Sequence, residues 1–93
     1  MQLVFEWDED KAAENERKHG VPFSEAKSVF NDPFSLTMYD PDHSADEERF
    51  VDLGMSAKGR VLIVSYTERA GRIRLISSRR STTRERITYE KRE

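Results

Sequence analysis

The stretch 61–80, VLIVSYTERAGRIRLISSRR, constrains this chain more than any other. It reads as two β-strands meeting at a tight Ala70-Gly71 turn, where glycine supplies the positive φ that short hairpins need. Val61-Leu62-Ile63-Val64 is apolar at every position. A strand that is apolar on both faces belongs in the middle of a sheet with cover on each side. The rest of the chain must therefore extend this hairpin into a sheet and lay other elements over it.

The flanking sequence supplies those elements. Residues 2–7 alternate weakly, with Leu3, Phe5 and Trp7 on one side, and read as a first strand. Asp8 then reads as a helix N-cap, with Glu9 and Asp10 suited to the positive end of the helix dipole. Trp7 stands where it can staple onto Ala12. This helix runs to about His19 and stops at Gly20; its apolar stripe is poor, so it must dock to persist. Val21-Pro22 opens a second helix, with Phe23, Ala26, Val29 and Phe30 at helical spacing, ended by Asn31-Asp32-Pro33. Ser35 to Tyr39 is a short strand, and Asp40 to Ser44 is an acidic loop. Arg49 to Ser56 alternates with Val51, Leu53 and Met55 on one face, and Ala57-Lys58-Gly59 makes a hairpin loop. Thr82 with Glu85 fits a capping box opening a final helix, which offers Ile87 and Tyr89 to a core. The order β-α-α-β-β-β-β-α predicts an α+β fold. Two N-terminal helices pack on one face of a mostly antiparallel, four- to five-stranded sheet, and a C-terminal helix follows.

A chain of 93 residues is expected to form one domain over 1–93, with a modest core. Apolar residues make up only 35%, which points to added stability from a partner surface. There is no cysteine, hence no disulfide and no thiolate metal site. No apolar run approaches the roughly 20 residues of a membrane span, and the N-terminus lacks the pattern of a signal peptide. A cytoplasmic protein without membrane contact is the expectation.

Charge is unevenly placed. Residues 1–68 hold seven Lys/Arg and fifteen Asp/Glu, while 69–93 hold nine Lys/Arg and three Glu, so a net charge of −2 conceals a basic end. Such a segment suggests a local anion site, with phosphate the commonest biological anion. Under strict alternation Arg72, Arg74, Ile76, Ser78 and Arg80 share one face of the second hairpin strand, and Ile73, Leu75, Ser77 and Arg79 the other. Arg79 then ends an apolar row, where a guanidinium can grip phosphate bidentately; a salt bridge to a carboxylate within 1–52 is the competing reading. Glu68 and Arg69, opposite charges at the hairpin tip, are solvated, or Arg69 leans over the same cleft as Arg79. Arg72, Arg74 and Arg80 are a solvated face or an RNA-backbone contact. Tyr66 is a core residue or a base-stacking platform. His19 is a helix-end cation or a general acid or base. Two histidines without cysteine give no zinc spacing, and no metal or cofactor is expected. An arginine-built site suits RNA cleavage by the substrate's own 2′-hydroxyl, since arginine can align the phosphate and stabilise its extra charge.

The order of short motifs adds to this. Phe5-Glu6-Trp7-Asp8 with Lys11, Lys18-His19-Gly20, Phe23-Ser24-Glu25-Ala26 and Val29-Phe30 are followed by Asp32-Pro33, His43-Ser44 and Glu48-Arg49-Phe50. Tyr66-Thr67-Glu68-Arg69, Arg74-Leu75-Ile76-Ser77, Arg79, Glu85-Arg86 and Tyr89 complete the series. Across nearly the whole chain this order resembles the BrnT family of small toxins from bacterial type II toxin–antitoxin pairs. The resemblance implies a fold similar to the RelE-type ribonuclease toxins and an endoribonuclease that arrests growth. It implies a cognate antitoxin of the BrnA type, in a dimer or hetero-oligomer. It also implies catalytic roles for Arg79 and Arg69, then His19 and Arg80, with Glu68 and Tyr66 as helpers. The chain departs from the expected pattern at Ser78 and Ser81, where alanine is anticipated. The alternative is a module that binds nucleic acid or the antitoxin through its basic end without catalysis.

Overall fold

The computed structural model describes residues 3–91. Its centre is a five-stranded sheet in the order β1-β5-β4-β3-β2. The strands are β1 (Phe5–Glu6), β2 (Leu36–Tyr39), β3 (Arg49–Met55), β4 (Val61–Arg69) and β5 (Arg72–Arg80). β2 to β5 are antiparallel neighbours, and β1 pairs in parallel with β5 through Phe5↔Ile73 and Glu6↔Arg74. The α+β architecture and the element order match the expectation. The first strand is only two residues long; its predicted start at Gln2 lies outside the described residues. Ala70 and Gly71 have φ of 52° and 77°, the two left-handed residues of a type I′ turn.

Helix α1 (Glu9–His19) begins where Asp8 Oδ1 accepts the amides of Asp10 and Lys11, and it ends at Gly20 with φ of 71°. The second predicted helix is one turn, α2 (Phe23–Ala26), tightened into a 3₁₀ segment over Lys27–Asn31. α2 and this segment cover one sheet face. Val21, Phe23, Ala26 and Val29 are buried there against Leu62, Val64, Tyr66, Ile73 and Leu75. Phe30 and Phe50 close on Tyr66 with ring centroids 4.9 Å and 5.7 Å away. Gly54 lies under this layer: a Cβ there would sit 2.8 Å from both Val29 Cγ1 and Ser35 Cβ. Buried Glu25 clamps the layer's edge by accepting from Arg60 and from Ser56, while Arg60 also reaches the Gly20 carbonyl.

Helix α3 (Thr83–Glu90) covers part of the other face, and the predicted capping box is formed. Tyr89 packs on Leu53, Val61 and Ile63, and its hydroxyl donates to Asp32 Oδ2 at 2.6 Å. Ile87 does not join this core: it is 44% exposed. Burying one aromatic side chain contributes about 1.5–3 kcal/mol, so α3 depends on Tyr89 and on the polar contacts at its start.

Strict alternation in β5 fails at one point. Ser65 faces Ser77, but Tyr66 faces Leu75, so Ile76 is the extra residue of a bulge. The bulge exchanges the two faces for the rest of the strand. Ile73 and Leu75 lie on the α2 side, opposite Glu68 and Tyr66, and Ser78 joins that side opposite Val64. Arg79 pairs with Ile63 on the α3 side, the face that Arg72 and Arg74 occupy. The expected apolar row ending in Arg79 does not exist.

Candidate active site

On the α3 face the sheet is only partly roofed, which leaves a cleft of about 750 Å³. Its floor runs across four strands and includes Arg79, Ile63 and Leu53 in one row and Ser77, Ser65, Val51 and Met38 in the next. α3 forms a wall with Arg84, Glu85 and Thr88. His19 closes the end beside β5, and Tyr39 and Asp40 the end beside β2.

Arg79 is positioned from two directions. Its strand register sets the backbone, and Glu85, one turn into α3, grips the guanidinium with two 2.9 Å hydrogen bonds, Nη1 to Oε1 and Nη2 to Oε2. Nη1 also donates to the Arg80 carbonyl at 3.2 Å. The Arg79 hydrogen bond pulls the Glu85 carboxyl down to about 2, aided by the Thr82 amide, and Glu85 in turn raises the arginine. The carboxylate partner expected within residues 1–52 is thus replaced by one six residues along the chain. This pairing uses one edge of the guanidinium. Nε and the second Nη2 proton make up the other edge and have no partner among the described residues. The side chain is 42% exposed, and a second edge of this kind matches two oxygens of a phosphate.

His19 reaches the cleft because of Asn15, one turn earlier. β1 covers β5 only as far as Arg74, so the later edge of β5 needs another partner. Buried Asn15 supplies it: its Oδ1 accepts the Ser78 amide at 3.0 Å and its Nδ2 donates to the Ser78 carbonyl at 2.9 Å. A side-chain amide thereby completes the strand edge, ties the helix to Arg79's neighbour, and carries the imidazole at the end of α1 round to the cleft.

The structure does not bring the other predicted residues there. Arg69 is six positions along β4 from Ile63, roughly 20 Å from the Arg79 row. It instead bonds Glu47 at 3.0 Å. Glu68 stays exposed beside it. Tyr66 is buried on the α2 face, where its hydroxyl donates to Asp52 Oδ1 at 3.0 Å. Burial raises both the Asp52 carboxyl and the Tyr66 phenol. Arg74 and Arg72 lie on the cleft's sheet face but beyond its floor, sharing Glu6 at 3.2 Å and 3.6 Å. Arg80 lines a smaller hollow with Arg60 and Arg86 at the start of α3. Reading the residues alone passed over Arg84, Ser65 and Ser77. Arg84 adjoins Glu85 on a helix whose cap was legible, so the Arg79–Glu85 pair would have located it. The serines became neighbours only through the bulge.

The ionisable groups lining the cleft are therefore one imidazole, two guanidinium groups, two carboxylates and the phenol of Tyr39. Glu85 is held by Arg79 and Asp40 by His43 Nδ1 at 2.9 Å. Such a set of side chains has the chemistry to meet an anion, with an imidazole beside it.

The model of a family described as the ribonuclease toxin BrnT of type II toxin–antitoxin systems matches residues 7–85. The crystal structure of the Brucella abortus ribonuclease toxin BrnT is similar to this structure with a TM-score of 0.65 and 21% sequence identity, covering 88% of this chain and 100% of that one. No curated protein sequence matches. At that identity the structural likeness shows the fold, and the family match over 7–85 places the sequence: this chain belongs to the BrnT family of ribonuclease toxins of type II toxin–antitoxin systems.

Proposed function

We propose that this toxin is an endoribonuclease that cuts RNA in the cytoplasm without a metal ion, arrests growth, and is held in check by a cognate antitoxin of the BrnA type. The observation that carries the reading is the free edge of Arg79 in a cleft that also holds Arg84 and His19. The 2′-hydroxyl of the substrate attacks the adjacent phosphorus, and the 5′-oxygen of the next nucleotide leaves. Arg79 holds the phosphate in line and stabilises its added negative charge, with Arg84 as a second cation. His19 accepts or returns the proton. Glu85 is a positioning residue: it fixes the orientation of the guanidinium while leaving two donors for the substrate. Arg74 and Arg72 extend the basic face and meet the backbone of the bound strand beyond the cleft.

The test is purified protein with single-stranded RNA in EDTA. Cleavage is expected, and Arg79→Ala lowers the rate by about 10²–10³, the effect of removing a preorganised charge-stabilising donor. Arg79→Lys recovers little, because it keeps the charge and loses the fork. Circular dichroism and thermal melting establish that the variants are folded. Expression without the antitoxin stops growth only for the wild type. Binding that weakens steeply with salt but never yields cleavage identifies a non-catalytic module instead. A folded Arg79→Ala protein that cuts at the wild-type rate removes Arg79 from the mechanism.

A further inference from the structure

The cleft has a second feature beside the phosphate grip. Ser77, Ser65, Val51 and Met38 stand side by side across β5, β4, β3 and β2, in register and on the same face. All four line the cleft. The two serines are direct cross-strand partners, which places their Cβ atoms roughly 5 Å apart. Neither hydroxyl has a hydrogen-bond partner among the described residues, and neither residue is fully buried. Met38 is 46% exposed on an edge strand. The row thus consists of two open hydroxyls followed by two apolar side chains.

The bulge at Ile76 creates this row. Without the extra residue, Ser77 would turn toward α2 and Ser65 would face a different partner. Bulges near functional sites re-aim side chains in this way. Here the same irregularity aims Ser77 and Arg79 into one cleft. They stand two positions apart on β5, roughly 6.5 Å along the strand, comparable to the offset between a nucleotide's phosphate and the edge of its own base.

We propose that the Ser77–Ser65–Val51–Met38 row is a nucleobase subsite for single-stranded RNA, next to the phosphate gripped by Arg79. A hydroxyl both donates and accepts, so two adjacent hydroxyls address two neighbouring groups on a base edge. Val51 and the polarisable Met38 side chain meet the flat apolar face of the ring. Stacking favours any base, whereas the serine pair distinguishes one base edge from another. The subsite rests on the ribonuclease reading for its substrate, and Ser65 and Ser77 set the base preferred beside the cut.

The test uses short single-stranded RNAs randomised around the scissile position, with cut sites read by sequencing. Wild type is expected to favour one base at a position adjacent to the cut. In Ser65→Ala/Ser77→Ala, kcat/KM for that base falls about tenfold toward the values for the others, which is what losing one or two neutral hydrogen bonds removes. A wild type that cuts with no base preference, or a double variant that keeps the preference, overturns the subsite while leaving the ribonuclease reading intact. Where the wild type cuts no RNA at all, the ribonuclease reading falls, and amide chemical shifts during titration with the four nucleoside 3′-monophosphates decide the subsite. Shifts centred on Ser65, Ser77 and Arg79, with affinities that differ among the bases and level out in the double variant, uphold it. Absent or base-independent shifts overturn it.

Discussion

At the scale of single residues, Ser78 shows how one atom can run against its surroundings. Its backbone is fully engaged, with amide and carbonyl both bonded to Asn15. Its side chain is buried, and its hydroxyl has no partner among the described residues. An unmatched buried hydroxyl costs roughly 1–3 kcal/mol relative to an apolar group of the same shape. The family resemblance leads one to expect alanine at this place. Ser78→Ala is therefore expected to be neutral or stabilising by up to about 1 kcal/mol. In a domain of this size that is a rise in Tm of up to roughly 8 °C. A fall in Tm on thermal melting would show that the hydroxyl is satisfied after all. Asn15 carries the opposite lesson. It is a polar residue on a helix with a weak apolar stripe, and its amide completes the edge of β5.

At the scale of elements, the caps and turns were the legible part. Asp8, Gly20, Thr82 with Glu85, and Ala70-Gly71 act on groups within a few residues of themselves, so local chemistry was enough to place α1, α3 and the hairpin. The bulge was not legible, because RIRLISSRR alternates as well with one residue inserted as without it; only the facing strand decides. That single insertion decided which face Arg79 serves. The same limit applies to Arg69: its place on the same hairpin and the family resemblance put it near the phosphate site, but strand direction carried it to the far end. The Arg79–Glu85 pair predicts how α3 responds to acid. Glu85 titrates near 4.5 when unpaired and is held down to about 2 in the fold. A depressed carboxyl contributes stability that is present above its unfolded value and is lost as pH falls toward its folded value. Stability is thus expected to decline between about pH 4.5 and pH 2. Glu25, lowered by Arg60, adds to that decline, while Asp52, raised by burial, opposes it. Urea midpoints across this range should fall less steeply for Glu85→Gln than for wild type. Equal slopes would show that the pair does not couple α3 to the fold.

At the scale of the whole molecule, what matters is where the charge sits. An acidic N-terminal part and a basic C-terminal part nearly cancel in the total, but the sheet sorts them in space. Arg72, Arg74 and Arg79 share one sheet face, with Arg84 above it, and the carboxylates on that face are already engaged: Glu85 by Arg79, and Glu6 by two arginines at once. Two guanidinium groups sharing one carboxylate leave about one positive charge for a partner. A strand held at the cleft by Arg79 and continuing along β5 meets that charge next. Each phosphate neutralised on single-stranded RNA contributes about 0.7 to the slope of log K against log salt. Arg74→Ala is therefore expected to lower the measured slope by about 0.7 and to weaken binding of all RNA sequences alike, because a backbone contact carries no base information. Arg17→Ala, on exposed α1 with Glu14 as its neighbour, serves as the control and leaves the slope unchanged. Fluorescence anisotropy of a labelled RNA over a salt series measures both. If the two variants shift the slope equally, the molecule attracts RNA through diffuse charge rather than along the β5 face, and the path of the strand beyond Arg79 must lie elsewhere.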